Sequence, residues 1–447
     1  MPSLAQFRDP ALSLFQSAVD EVIARKTAGT QSQATGGPVA IARPDPSNNM
    51  VKMATAEAST AHDAIQSGAA PPTPPPAPVS AAPGGLGDEV GYCASLARNY
   101  AVAKLLCHTD DANRYQALLT AKDGPCDPGW VEASLKYEEF LLSKGTIPYR
   151  VYQNMNDFVI DGKLPANARV AIVGDWGTGQ DAAKTVLAQI ARKNPDVVIH
   201  MGDVYYSGTD FEMQNYFYNI WKESLDLTKV PTFTLAGNHD MFCGGAPYYK
   251  LIDQLGQPAS YFCLRNDNWQ FLAMDTGLHD NNPEGGGPTY LEDTEVTWIA
   301  DKIQNRGNRR TVLLSHHQLF AANEAICGQS VNDRLSQQLS PLLPSVDMWL
   351  WGHEHNLVIY QEYLGVLARC IGHGAFPVCL TDLPATPMFP DVPMVPLRLG
   401  DNGIFYNHGY MIMDLAGNTA TLSYYQDTDE TVPQYTESLA AVATAAS

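Results

Sequence analysis

Short runs of apolar residues alternate with amphipathic stretches between residue 168 and residue 426. Six runs are rich in β-branched or bulky apolar side chains and end at Gly, Asp or His: RVAIVG, DVVIHMG, TFTLAG, QFLAMD, TVLLSH and MWLWGH. The stretch DAAKTVLAQIARKN has apolar residues at helical spacing, with Thr178 before it as a candidate cap. Together they predict a buried, largely parallel sheet covered by helices. YMIMDLAGNTATLSYYQ predicts a hairpin near the end of the chain.

The same pattern divides the chain into five segments. Residues 1–27 predict one short helix, and residues 28–87 predict a disordered linker because they are rich in Pro, Ala and Gly and poor in large apolar side chains. Residues 88–150 carry two amphipathic stretches and predict a small helical module. Residues 151–426 are expected to form the main domain, and residues 427–447 a loose tail.

Composition excludes several classes of function. The 28 Lys and Arg stand against 48 Asp and Glu, a net charge of -20, so we expect no nucleic-acid binding. No stretch approaches the ~20 apolar residues of a membrane span. The first residues lack the basic and apolar regions of a secretory signal, so we expect a cytoplasmic protein. The sequence carries no signal for an oligomeric state.

The eight cysteines are scattered, without the paired spacing of a zinc or redox site. We expect them to be buried free thiols. In an exported protein, Cys243 with Cys263, or Cys370 with Cys379, could form disulfides.

Polar side chains follow five of the predicted strands. The blocks are GDWG at 174–177, GDVYY at 202–206, GNHD at 237–240, SHH at 315–317 and GHEH at 352–355. Ligands bind beyond the carboxyl ends of strands in α/β sheets, so these blocks are expected to converge. They supply seven candidate metal ligands: Asp175, Asp203, Tyr206, Asn238, His316, His353 and His355. One catalytic ion takes about three protein ligands, so the number favours two ions, with Asp203 as the bridging candidate.

In this order, the five blocks resemble those of the calcineurin-like metallophosphoesterases of the purple acid phosphatase type. They are most similar to the small tartrate-resistant acid phosphatases, over residues 168 to 425. The resemblance implies an α/β (α+β) fold, a four-layer αββα sandwich, which here follows an N-terminal helical extension. Gly177 stands where many relatives have a His, and Tyr206, three residues after Asp203, corresponds to the tyrosinate that replaces this His.

The resemblance also implies a metal centre and a reaction. A ferric ion would be held by Asp175, Asp203, Tyr206 and His355, and a divalent ion (Fe, Zn or Mn) by Asp203, Asn238, His316 and His353. A metal-bound hydroxide would attack the phosphorus of a phosphate ester. His239 would protonate the leaving group, with Asp240 holding its ring.

The other histidines have weaker roles in this prediction. His317 becomes the ligand if the register shifts by one residue, and otherwise contacts substrate. His373 is expected to hydrogen-bond a ligand, His279 to contact substrate, and His200 to lie in the core. The Pro-rich stretch at 384–403 is expected to cover the cleft.

The predicted function is hydrolysis of phosphomonoesters. The alternative is a phosphodiesterase on the same centre, acting on a cyclic nucleotide or a phospholipid head group. A scaffold protein without activity would be expected to have lost a ligand, and none of the seven is missing.

Overall fold

A computed structural model describes residues 147–280 and 287–440, together with isolated helical positions between residues 13 and 115. The strands in the described part are β1 (Val159–Asp161), β2 (Arg169–Val173), β3 (Val197–His200), β4 (Thr232–Thr234), β5 (Phe262–Arg265), β6 (Trp269–Ala273), β7 (Arg310–Leu314), β8 (Met348–Trp351), β9 (Leu357–Ile359), β10 (Ala368–Ile371), β11 (Gly409–Ala416), β12 (Thr419–Gln426) and β13 (Tyr435–Leu439).

Helices connect many of these strands. They are α1 (Asp181–Arg192), α2 (Asp210–Glu212), a π-helical turn (Met213–Tyr218), α3 (Asn219–Ser224), α4 (Asn238–Met241), α5 (Ala246–Leu255), α6 (Asp293–Gln304), α7 (Asp333–Leu339) and a 3-10 turn (Leu343–Ser345). Helix α1 begins after Gln180 and not at Thr178, whose hydroxyl accepts the Gln180 amide at 3.4 Å.

The strands form two mixed sheets. The seven-stranded sheet has the order β1-β5-β6-β7-β8-β10-β9, and the six-stranded sheet has the order β13-β12-β11-β2-β3-β4. Strands β6, β7, β8 and β10 are parallel neighbours in the first sheet, as are β2, β3 and β4 in the second. Strand β11 pairs antiparallel with both β2 and β12.

Side chains along the strands point alternately to the two faces of each sheet, and packing on both faces gives four layers. Val170 and Ile172 of β2 pack between the two sheets, in one cluster with Val312 and Leu314 of β7. The intervening Ala171 and Val173 face the other way, where α1, α3 and α5 cover the second sheet. Helices α6 and α7 cover the outer face of the first sheet. The αββα sandwich is therefore confirmed.

Part of the predicted loose tail forms a strand instead. Strand β13, within residues 427–447, pairs antiparallel with β12 and extends the second sheet. Its Glu437 receives two hydrogen bonds from Arg369 of β10, at 2.6 and 2.5 Å, and one from Tyr424 at 2.6 Å. Because Arg369 belongs to the other sheet, this cluster joins the two sheets at the end of the chain.

Most of residues 1–146 lies outside the described residues, including most of the predicted helix, linker and helical module. Ala24 packs against Phe211 and Tyr216 of the main domain. Thr60, inside the predicted linker, is helical. Tyr149, inside the predicted helical module, donates to Glu295 of α6 at 2.8 Å, so the main domain begins before residue 151.

The described cysteines differ from the expectation of buried free thiols, because Cys93 is in a disulfide, Cys327 is exposed, and Cys243 and Cys379 are only partly buried. Cys263 and Cys370 are buried free thiols, and neither of the two suggested pairs is bonded, since Cys243 and Cys379 are free as well. In the part of the chain that the structure describes, no helix has the length and apolarity needed to cross a membrane.

Candidate metal centre

The polar blocks meet at the ends of strands from both sheets. Asp175 follows β2, Asp203 follows β3, and Asn238 and His239 open α4 after β4, all in the second sheet. The first sheet contributes two further loops, with His316 and His317 after β7, and His353 and His355 after β8. All of these side chains are buried.

Four of the candidate ligands have left-handed backbone conformations. The φ angles are 55° at Asp175, 75° at Asp203, 66° at His353 and 50° at His355. Such conformations cost a non-glycine residue roughly 1–3 kcal/mol and cluster at functional sites. Each turn aims a polar side chain into the centre at the expense of backbone stability.

Glycines beside the ligands leave room for their carboxylates. A Cβ on Gly237 would lie 2.1 Å from Asp203 Oδ1, and a Cβ on Gly352 would lie 2.6 Å from Asp175 Oδ2. Gly177 is equally confined, because its Cβ would lie 2.7 Å from the Asp203 carbonyl oxygen. The position where many relatives carry a His therefore has no space for a side chain here.

The orientation of His316 suits metal binding. Its Nδ1 lies 2.9 Å from the Met201 carbonyl, so Nδ1 carries the proton and donates it there. Its Nε2 then faces Asp203 Oδ2 at 3.3 Å and His353 Nδ1 at 3.2 Å. A main-chain acceptor that fixes the tautomer of a ligand histidine in this way is typical of metal sites.

The electrostatic field of the centre favours positive charge. Burial alone would lower the pKa of His316, but Asp203 and Asp175 outweigh it and raise that pKa to about 9. Burial likewise opposes ionisation of Asp203, yet His316 and His239 bring its pKa below the ordinary value. A cation placed between these groups would be stabilised in the same way.

The ligand atoms also have the spacing of a metal site. Atoms of Asp175, Asp203 and His316 lie within 4.8 Å of one another, and so do atoms of His316, His317 and His353. Asn238 Oδ1 is buried and has no hydrogen-bond partner in the described residues. A buried amide oxygen costs free energy unless it is satisfied, so Asn238 fits a metal ligand. The donor set of carboxylates, amide and imidazoles suits first-row metals.

The tyrosine hydroxyl among the carboxylates is that of Tyr205. It lies 2.9 Å from Asp175 Oδ1, 3.1 Å from Asp203 Oδ2 and 2.9 Å from His355 Nε2. Burial and the two carboxylates raise the pKa of Tyr205 well above its ordinary value, so without a cation the phenol stays protonated. Tyr206, which the resemblance places among the ligands, accepts a hydrogen bond from His239 through its carbonyl, and its ring lies 6.4 Å from that of Tyr205.

His239 stands beside Asp203, with its Nε2 at 3.9 Å from Asp203 Oδ2. Its Nδ1 lies 2.6 Å from the Tyr206 carbonyl, which makes Nδ1 the donor and turns Nε2 toward the centre. Asp240 was expected to hold this ring. Its carboxylate instead accepts the backbone amides of Asp203, Val204 and Gly237 at 2.7–3.0 Å, and so fixes the loops that carry the ligands.

The remaining histidines have separate surroundings. The ring of His317 lies 4.3 Å from that of His353, and its nitrogens contact Thr276 at 3.0 Å and Asp280 at 2.8 Å. His279 pairs with Glu292 at 2.8 Å and stacks on Tyr290, contacts that join it to none of the ligands named above.

Two further histidines are deeply buried. Burial lowers the pKa of His373 to about 3, and its carbonyl accepts the Gly409 amide. His200 lies in the core as predicted, against Trp176 and Phe217, with Nδ1 at 2.9 Å from the Thr234 hydroxyl.

Comparison with known proteins identifies the class to which this site belongs. Residues 168–357 match the family model of the calcineurin-like phosphoesterases. The chain therefore carries a calcineurin-like phosphoesterase domain, and it is a metal-dependent phosphoric ester hydrolase.

Three individual proteins show the extent of the similarity. The chain is 26% identical over 250 residues to human tartrate-resistant acid phosphatase type 5, which spans 48% of this chain and 75% of the relative. It is 26% identical over 164 residues to a 3',5'-cyclic adenosine monophosphate phosphodiesterase of Escherichia coli, covering 36% of this chain and 54% of the relative. A dimetal phosphatase from Danio rerio aligns with a TM-score of 0.41 at 11% identity, over 58% of this chain and 96% of the other.

Proposed function

We propose that the protein hydrolyses phosphomonoesters at a binuclear metal centre of the purple acid phosphatase type. The observation that carries the proposal is the meeting of strand-end carboxylates and imidazoles from both sheets: His316 Nε2 lies 3.3 Å from Asp203 Oδ2 and 3.2 Å from His353 Nδ1, and His355 Nε2 lies 3.3 Å from Asp175 Oδ1. Similarity to the acid phosphatase extends over a larger share of that relative, 75%, than similarity to the cyclic nucleotide phosphodiesterase, 54%.

The proposed ligand sets share Asp203. Asp175, Asp203, Tyr206 and His355 would hold a ferric ion, and Asp203, Asn238, His316 and His353 would hold divalent iron, zinc or manganese. When bound, the two ions would neutralise the phosphoryl oxygens and activate a water for attack. The hard phenolate and carboxylate oxygens suit a ferric ion, while the neutral amide and imidazoles suit a divalent one.

His239 is the proposed general acid. Its Nδ1 is committed to the Tyr206 carbonyl, so Nε2 is the atom that can deliver a proton to the leaving oxygen. The ring also lies 4.8 Å from Phe242 and 4.7 Å from Tyr205, which limits its rotation. A fixed donor beside the bridging carboxylate supports the acid role.

A phosphodiesterase is the second candidate. The similarity to a bacterial cyclic nucleotide phosphodiesterase and to a probable glycerophosphodiester phosphodiesterase of Arcobacter nitrofigilis, 25% identical over 126 residues, favours it. The same ligands would serve either reaction, because they act on the phosphoryl group and not on the number of its substituents.

Turnover of a chromogenic aryl phosphomonoester and of its bis-aryl diester would separate the two. Both are measured on one purified sample whose metals are quantified. We expect a higher kcat/KM for the monoester, with two metal ions per chain of which one is iron. A higher kcat/KM for the diester would replace the substrate class, and one ion per chain would contradict the binuclear centre.

A further inference from the structure

Every main-chain amide of the loop after β3, residues 203–209, donates a hydrogen bond, and residues 203–208 are buried. The acceptors are two carboxylates and two carbonyls: Asp240 accepts from Asp203 and Val204 at 2.9 and 3.0 Å, the Gly177 carbonyl from Tyr205 and the Val204 carbonyl from Gly208, both at 2.9 Å, and Glu212 from Tyr206, Ser207 and Thr209. A buried amide without an acceptor costs free energy. The positions of these acceptors therefore restrict the path of the loop.

Glu212 accepts more of these amides than any other single residue. Its side chain is 1% exposed. Its Oε1 accepts the amide of Tyr206, while its Oε2 accepts the amides of Ser207 and Thr209, each at 3.1 Å, and the Thr209 hydroxyl at 3.2 Å. Both carboxylate oxygens of Glu212 are thus bound by the loop that precedes α2.

Helix capping explains only one of these oxygens. The Thr209 hydroxyl accepts the Glu212 amide at 3.2 Å, and Glu212 Oε2 accepts the Thr209 amide, which together form a capping box at the start of α2. The bond from Oε1 to Tyr206 is not part of this box, because Tyr206 lies three residues before the cap. Glu212 therefore has a contact that the helix itself does not need.

That contact leads to the metal centre. The Tyr206 carbonyl accepts Nδ1 of His239 at 2.6 Å, so the two ends of this residue's main chain are bound by Glu212 and by the proposed general acid. The Tyr206 ring packs in one buried cluster with Tyr205 and Phe376. A displacement of the Tyr206 main chain would consequently move the acceptor that orients His239.

We propose that Glu212 is a positioning residue for the reaction. By accepting the Tyr206 amide, it fixes the main chain whose carbonyl orients His239 and whose side chain is the proposed tyrosine ligand. The proposal rests on the proposed function for the roles of His239 and Tyr206. The contacts lie within the protein chain, so they hold the loop in the metal-free protein as well.

The test uses the full chain and the variant Glu212→Gln. Glutamine keeps one carbonyl oxygen, and we expect it to stay with the three donors of Oε2, which leaves the side-chain NH₂ group against the Tyr206 amide. Glu437→Gln is the matched control, because it changes a buried carboxylate on β13 whose hydrogen bonds come from Arg369 and Tyr424. Amide hydrogen exchange of residues 203–209 is measured on metal-free proteins, and kcat and KM on metal-loaded ones.

In Glu212→Gln we expect the Tyr206 amide to exchange about two- to tenfold faster, the effect of losing one hydrogen bond. We expect kcat for ethyl phosphate to fall at least about tenfold, because a displaced acid loses part of its contribution, while kcat for a chromogenic aryl phosphate and both KM values change little. In a His239→Ala background the substitution should have no further effect on ethyl phosphate, since the two residues act in one chain. Glu437→Gln should leave the exchange of this loop and the ratio of the two kcat values unchanged.

Three outcomes would overturn the proposal: unchanged exchange at Tyr206, equal losses of kcat for the two esters, or a full further loss in the His239→Ala background. If Glu212→Gln does not fold, exchange in metal-free wild type still decides, because the Tyr206 amide must be as protected as those of Asp203 and Val204. Wild type that hydrolyses neither monoester would contradict the proposed function. Faster exchange at Tyr206 in Glu212→Gln would then still support the role of Glu212 in holding the loop.

Discussion

His239 makes one ring hydrogen bond, to the Tyr206 carbonyl, and turns its other nitrogen toward the Asp203 carboxylate. Replacing His239 with Ala removes the proposed proton donor and no proposed ligand. General acid catalysis contributes about 10²–10⁴-fold, so we expect a loss of that order for an alkyl phosphate, whose leaving group needs a proton. An activated aryl phosphate should lose far less. The measurement is kcat for both esters, with metal content unchanged.

The outcome that would contradict this role is an equal loss for the two esters. A fall in metal content would instead make His239 part of the metal site. The aryl ester serves as the internal control, because it passes through the same centre with little demand for a proton.

Substitution of Gly237 would show how tightly the side chains of the centre are packed. A Cβ there would lie 2.1 Å from Asp203 Oδ1, so Gly237→Ala must displace the Asp203 carboxylate, the proposed bridge. Overpacking of this kind costs about 1–3 kcal/mol, which leaves the domain folded. We expect loss of at least one metal ion and of most activity, measured by metal analysis and turnover. Gly287→Ala is the control, because its Cβ would meet nothing within 4 Å, and an equal effect there would remove the explanation.

The position of the tyrosine side chain in the site could not be predicted from the sequence. The blocks that end the strands predicted Asp175, Asp203, Asn238 and the histidines, since side chains that follow neighbouring strands must converge. Which of two adjacent tyrosines enters the centre depends on the path of the loop after β3. Along that path the Tyr205 amide donates to the Gly177 carbonyl at 2.9 Å, a contact that sequence spacing does not reveal.

At the scale of elements, β13 is held by a cluster that crosses the sandwich. Burial raises the pKa of Glu437, but the hydrogen bonds and charge of Arg369 outweigh it and bring the pKa below its ordinary value. Breaking a buried ion pair costs about 3–5 kcal/mol. Arg369 is 4% exposed, so we expect Glu437→Gln to lower the free energy of unfolding toward the lower end of that range, measured in urea at neutral pH.

The pH dependence follows from the sign of this pKa shift. A carboxylate with a lowered folded-state pKa stabilises the fold above its unfolded-state pKa, and that contribution is lost as pH falls through the folded-state value. Wild type and Glu437→Gln should therefore converge in stability under acidic conditions. Glu430→Gln is the matched control, because its exposed pair with Arg192 is worth less than about 1 kcal/mol. A constant difference at all pH values would contradict the assignment.

The six apolar runs predicted β2, β3, β4, β6, β7 and β8, because strands buried on both faces have no polar alternation to obscure them. The sequence did not predict the short strands β1, β5, β9 and β10, whose lengths of three or four residues leave little pattern. The residues of β13, which include the charged Glu437, were predicted as a loose tail because the chain after residue 426 is polar and then Ala-rich. Arg369, the partner of Glu437, is distant in sequence, so only the folded sandwich shows that the charge is paired.

At the scale of the whole molecule, the centre lies where the two sheets meet, so its ligands belong to both halves of the sandwich. Bound ions should act as a cross-link that stabilises the native state by mass action, about 2.7 kcal/mol when free metal is at 100 times its dissociation constant. Removal of the ions leaves the carboxylates of Asp175 and Asp203 buried near each other without the positive charge of the metal. We therefore expect chelation to lower the thermal unfolding midpoint of the whole domain in a single transition, and re-addition of metal to restore it. Asn238→Ala should show a smaller response to chelator, because it removes a neutral ligand to one ion only. A midpoint that chelator does not move, in protein shown to have lost its metals, would mean that the centre does not connect the two sheets energetically.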